Sequence, residues 1–172
     1  MLHEGDRIFH PKHGFGTITG LTRRDPLDPI REESDEGASD RMQDYYEIQL
    51  MDGGTLLVPV SRAEHLGLRL LTNGVDAVRM CLRAPAQSLP QDARQRAAEL
   101  WARGQNREPT ALAASVRDML AQSRGRALTA NEKLWLDKSF ERLTTEASLV
   151  DRISRTEAHT AILEAAYPPS GA

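Results

Sequence analysis

Every period-two pattern in this chain lies before residue 59, and every helix-period pattern lies after residue 72. Segregation of that kind argues for two modules, a sheet followed by helices, and against a parallel α/β layer. The sheet half is organised around Gly5-Asp6-Arg7-Ile8-Phe9-His10-Pro11-Lys12-His13-Gly14-Phe15-Gly16, whose answering half at 45–59 stands across an acidic insert. Pro11 holds His10 extended and removes one donor, and Gly14 and Gly16 supply bends or close backbone approaches. The stretch therefore reads as strand, tight corner, strand. Thr17-Ile18-Thr19 and Tyr46-Glu47-Ile48-Gln49-Leu50 alternate and are rich in β-branched or aromatic residues, as is Thr55-Leu56-Leu57-Val58 less strictly. Met51-Asp52-Gly53-Gly54 has the composition of a hairpin turn. The expectation is a small, strongly bent sheet or barrel of the SH3 or Tudor kind over residues 1–70.

The insert at 25–41 is acidic, carries two prolines and has almost no bulky apolar side chains after Ile30, so it reads as a mobile loop between two strands. Ser61-Arg62-Ala63-Glu64-His65-Leu66-Gly67 reads as a short helical turn closing the module. A compact bundle of about five helices is expected over 73–168. Asn73 is the expected cap of the first helix, which Pro85 stops. The second starts at Ser88 or Asp92 and ends at Gly104, with Ala93, Ala97, Leu100 and Trp101 as its apolar stripe; Trp101 is expected in the core. Pro109 opens the third at an N1 position, with Leu112, Val116, Met119 and Leu120 on one face. Thr129-Ala-Asn-Glu132 and Ser154-Arg-Thr-Glu157 are capping boxes launching the last two. Leu136, Phe140, Leu143, Ala147 and Val150 mark the inner face of the longest helix.

Residues 1–72 hold 8 basic and 13 acidic side chains of the chain's 22 and 25, so the helical half is the basic one. That excess permits a nucleic-acid contact without demanding it. Cys81 is the sole cysteine, which leaves no intramolecular disulfide and no thiolate zinc site, and it is expected in the core. With no apolar leader or long apolar run, a cytoplasmic protein without membrane contact is expected. His10 and His13, near Glu4 and Asp6, lie in extended and turned chain, where their spacing does not suit metal ligation. Gly14-Phe15-Gly16 leads into a strand and lacks the helix N-terminus that cradles phosphate. No nucleophile and base pair has local support, so no catalysis, cofactor, metal or small-molecule substrate is expected.

The order and spacing of Gly5-Asp6, Phe9-His10-Pro11-Lys12-His13-Gly14, Val58-Pro59, Arg83-Ala84-Pro85, Val116-Arg117-Asp118 and Ala130-Asn131-Glu132-Lys133 resemble the bacterial CarD/CdnL family of transcription regulators. The first module is also similar to the polymerase-interacting module of transcription-repair coupling factors. The resemblance implies a Tudor-like domain that binds the β subunit of RNA polymerase through an exposed strand, and a helical domain that touches promoter DNA at the upstream edge of the melted bubble. Carried onto this chain, the polymerase-binding residues are Arg24, Thr55, Leu56, Leu57 and Val58. Leu57 stands where the family pattern has an arginine.

The helical half departs further from that pattern. Ala93 occupies the place of the family's DNA-wedging tryptophan, and Gln95 and Ala98 replace basic residues. The remaining DNA-binding candidates are Arg94, Arg96, Lys133, the basic loop of Arg124 and Arg126, and Trp135, which is either a displaced contact or packed on a neighbouring element. Weak, salt-dependent phosphate contacts are expected from the cations. The alternative is an interaction adaptor that binds polymerase or another protein without touching DNA.

Overall fold

The computed structural model describes residues 1–25, 42–105 and 108–168. The chain divides into two compact units, Met1–Leu71 and Thr72–Ala172. The acidic insert expected at 25–41 falls, but for Asp25, outside the described residues.

The first unit is one antiparallel sheet of β1 (Arg7–His10), β2 (Gly14–Arg24), β3 (Gln43–Leu50), β4 (Thr55–Pro59) and β5 (Arg69–Leu70), in the order β4-β3-β2-β1-β5. Among the described residues it is an open sheet rather than a closed barrel, with β4 and β5 as its edges. Alternation buries Ile8, Ile18, Tyr46, Ile48 and Val58 on one face. A register shift between Ile18 and Gly20 bends β2, with the Thr19 hydroxyl donating to the Glu47 carbonyl beside it. The turn after β3 forms as its composition requires: Gly53 has φ +97°, and the Gly54 amide donates to Asp52 Oδ1. A short 3-10 turn, Val60–Arg62, follows β4.

The corner between β1 and β2 is built by one histidine. His10 is buried, and its Nδ1 accepts from the backbone amides of Lys12 and His13 at 3.2 and 3.3 Å. The imidazole replaces backbone partners that Pro11 and the turn cannot supply. Gly16 serves packing: a Cβ there would stand 2.7 Å from Ile48 Cγ2 and 2.8 Å from the Gln49 carbonyl oxygen. Gly16→Ala is expected to destabilise this unit by about 1–3 kcal/mol through overpacking, measurable as an earlier urea transition.

The second unit contains α1 (Val75–Arg83), α2 (Ala93–Gln105), α3 (Pro109–Ser123), α4 (Ala130–Asp151) and α5 (Arg155–Ala166). Both capping boxes form, and Pro109 occupies the first turn of α3. Val78, Val116, Met119, Leu143, Ala147 and Ile162 are fully buried at its centre, with Cys81 partly buried against them. Two local expectations need correction. Asn73 does not cap α1: Gly74 is the N-cap residue, and the Val75 amide donates 2.7 Å to Asp151 Oδ2 at the end of α4. A carboxylate brought by the fold thus does what a neighbouring side chain was expected to do. Gly104 does not end α2, which continues to Gln105. Among the described residues, no helix is long and apolar enough to cross a membrane.

Candidate functional site

Helix α2 is rotated away from its hydrophobic pattern, of which only Leu100 stays inward. Its inward face is Arg96, Leu100 and Arg103, spaced four and three, while Ala93, Ala97 and Trp101 face solvent. Trp101 is 73 % exposed, which overturns its expected place in the core. The cause lies on the helices opposite, where two carboxylates require cations. Asp118 of α3 is 1 % exposed; it accepts from Arg103 NH1, from Arg117 Nε and from the Gln87 amide at 2.7, 2.8 and 2.9 Å. Arg103 also pairs with Glu99. Glu132, in the first turn of α4, receives Arg96 Nε at 2.7 Å. Burying an unpaired carboxylate costs more than leaving a tryptophan in water, so the arginines face inward and the indole outward.

Arg96 is therefore corrected as a DNA-binding candidate. It is 2 % exposed, and its NH1 donates to the Pro90 and Gln91 carbonyls at 2.6 and 2.8 Å. Arg126 is also committed, with NH1 and NH2 donating to Glu132 Oε2 and Oε1 at 3.0 and 2.7 Å. Hydrogen bonds from Arg126, then from the Thr129 amide and Arg96, hold the Glu132 carboxyl well below the usual carboxylate range despite its burial. One acid thus neutralises two of the cations expected to meet phosphate. Arg94, Arg124 and Lys133 are exposed.

The outward face of α2 and the first turns of α4 enclose a predominantly apolar groove of about 430 Å³, lined by Ala93, Ala97, Leu100, Trp101 and Trp135, with Arg94 among its walls. An adjoining hollow of about 330 Å³ shares Leu100, Trp101 and Trp135 and adds Lys138 and Arg142. Trp135 is half-buried and packs against the helical core. Both indoles line both hollows, with Arg94 beside the first and Lys138 and Arg142 beside the second, although Ala93 offers only a methyl group. Sequence reasoning missed Trp101. The available signal was Arg96 and Arg103 seven apart around Leu100, with Asp118 set between the apolar Val116 and Met119 of α3.

In the first unit, β4 pairs with β3 in the register Thr55 to Gln49, Leu56 to Ile48, Leu57 to Glu47 and Val58 to Tyr46. Val58 is buried and Leu56 packs on the sheet core, so the intervening Leu57, half-exposed, points to the opposite face. Arg24 ends β2, paired with Gln43, one strand removed from β4. His10 and His13 are committed to the corner, with rings 4.8 Å apart. No group of metal-ligating side chains occurs among the described residues.

An edge strand on a small open sheet and a helical unit with an aromatic groove suit a protein that binds partners. The family model described as CarD-like/TRCF RID domain matches residues 2–71, and that described as CarD, C-terminal domain matches residues 77–163. Together they define an RNA polymerase-interacting transcription regulator. The chain belongs to the CarD family, a family of non-catalytic regulators. A search of the curated proteins finds no match.

Proposed function

We propose that the first unit docks on the polymerase β subunit through the open edge of β4, and that the helical unit contacts promoter DNA near the upstream edge of the bubble through the α2–α4 groove. An edge strand presents unpaired amides and carbonyls to which a partner strand adds, while side chains such as Leu57 set the register. Thr55, Leu56, Leu57, Val58 and Arg24 remain the docking residues. On the helical unit, Arg94, Lys133 and Arg124 supply phosphate contacts, and Trp101 with Trp135 supplies flat apolar faces for unstacked bases. The observation that carries the DNA contact is the 73 % exposure of Trp101 over a groove walled by Arg94.

Titration of forked promoter DNA tests it. Trp101→Ala is expected to weaken binding by about 1–3 kcal/mol, the usual worth of one stacked base. Arg94→Glu and Lys133→Glu are expected to weaken it while flattening its salt dependence. The adaptor alternative is favoured by the loss of Arg96 and Arg126 to Glu132. It prevails if all three variants bind DNA as the parent does. Docking is tested separately with an isolated β-lobe fragment, for which Leu57→Asp is expected to weaken binding about tenfold by removing a leucine that docking would cover. Absence of parent binding at tens of micromolar, on the order of −6 kcal/mol, sinks the docking claim.

A further inference from the structure

Ala93 and Ala97 stand one turn apart on the outward face of α2, and Trp101 follows a turn further on, 73 % exposed. Two methyl groups beside a large ring leave a recess rather than a ridge. The indoles of Trp101 and Trp135 wall it, and its volume is about 430 Å³. Clefts that hold small molecules run from about 300 to 1,000 Å³.

The polar side chains at the α4 end of the recess are already engaged. Thr129 and Glu132 each accept from the other's backbone amide in the capping box, and the Glu132 carboxylate also accepts from Arg96 and Arg126. That carboxylate is therefore not free to select a cationic ligand. An extended peptide is no better suited, because both walls are helical and helical backbone bonds within itself, leaving no ladder for a strand to join. The charges beside the recess have the opposite sign. Arg94 stands in its wall, and the exposed Lys138 lines the adjoining hollow of about 330 Å³, where both indoles recur. An apolar aromatic recess beside cations matches a nucleobase and its phosphates, since the ring stacks while the backbone charges stay in water.

We propose, building on the DNA contact above, that the recess captures one base swung out of the melted strand, stacked on Trp101 and Trp135, with Arg94 and Lys138 on the flanking phosphates. The interlock is the reverse of a wedge. A wedging side chain enters the base stack. Here the base enters the protein, because position 93 carries only a methyl group and the space beside it is open.

The test uses the full chain and forked promoter DNA in which one abasic sugar is moved stepwise from the junction along each single-stranded arm in turn. An abasic site keeps the phosphates and removes only the ring. Capture predicts one position at which binding weakens about tenfold, the worth of a stacked base, with the others within about twofold of the intact fork. A wedge predicts the opposite sign, since a missing base makes room for an inserted side chain. Ala97→Phe fills the recess from an exposed helix position and keeps both indoles and every cation, so its melting temperature should match the parent's. It should weaken the intact fork about tenfold and abolish the abasic effect, because two changes that remove one contact do not add. Tighter or unchanged binding by Ala97→Phe overturns the proposal. So does a scan in which no position weakens binding by more than about twofold, or an abasic effect that persists undiminished in Trp101→Ala. If Trp101→Ala still weakens the intact fork in those cases, the DNA contact stands and only base capture falls. If Trp101→Ala, Arg94→Glu and Lys133→Glu all bind as the parent does, both fall.

Discussion

Asp118→Ala is expected to cost the helical unit about 3–5 kcal/mol, the penalty for removing one partner of a buried ion pair. The carboxylate is fully buried and accepts from Arg103, Arg117 and the Gln87 amide, so it ties α2, α3 and the segment between α1 and α2 to one point. Without it, two guanidiniums each lose their buried carboxylate acceptor and the Gln87 amide loses its own, and α2 loses the charge that draws Arg103 inward. Urea unfolding followed by helical circular dichroism should show the transition displaced to much lower denaturant. Asp118→Asn keeps the shape and part of the hydrogen bonding, and should fall between the parent and the alanine variant.

The second large effect is expected at Glu132. Glu132→Ala strands Arg96, whose side chain is 3 % exposed, and removes half of the α4 capping box. A loss of about 3–5 kcal/mol is expected from the ion pair, with up to about 1 kcal/mol more from the cap. The same group makes the helical unit acid-sensitive. The folded state holds the Glu132 carboxyl below its ordinary value of 4.5, so the unfolded chain takes up its proton first as pH falls. Its stabilisation is whole above that value and declines progressively below it. Unfolding free energies measured from neutral pH down into acid should fall more steeply below pH 4.5 in the parent than in Glu132→Gln, which has no such proton to take up.

Both predictions rest on the interactions that turn α2, and α2 is where sequence and structure part. Helices α3 and α4 were legible because the residues that set their inner faces are apolar: Leu112, Val116 and Met119, then Leu136, Phe140 and Leu143 are all buried where period and caps placed them. The strands were legible for the same reason, with Ile18, Tyr46, Ile48 and Leu50 alternating inward. Helix α2 obeys another rule. Its inward face carries Arg96 and Arg103, and no periodicity of apolar residues reveals that, because the acids that justify them lie on α3 and α4.

The candidate sites divide in the same way. Thr55-Leu56-Leu57-Val58 read only as a loosely alternating strand, and its exposure was implied by the family resemblance; that it lies at an edge, with β3 its only neighbour among the described residues, emerges from strand order. The α1 cap was misplaced because Asp151 is distant in sequence and reaches the helix only after α4 has packed.

The sequence alone determined the two-part organisation, the alternating core of the sheet, the capped helices and the ordered strings shared with the CarD family. These are local properties, set by side-chain period, turn chemistry and caps. Only the tertiary structure decided which cations are available to a partner and which tryptophan meets solvent. That choice depends on pairing charges across helices: Glu132 and Asp118 consume Arg96, Arg126 and Arg103, and their burial leaves Trp101 in water.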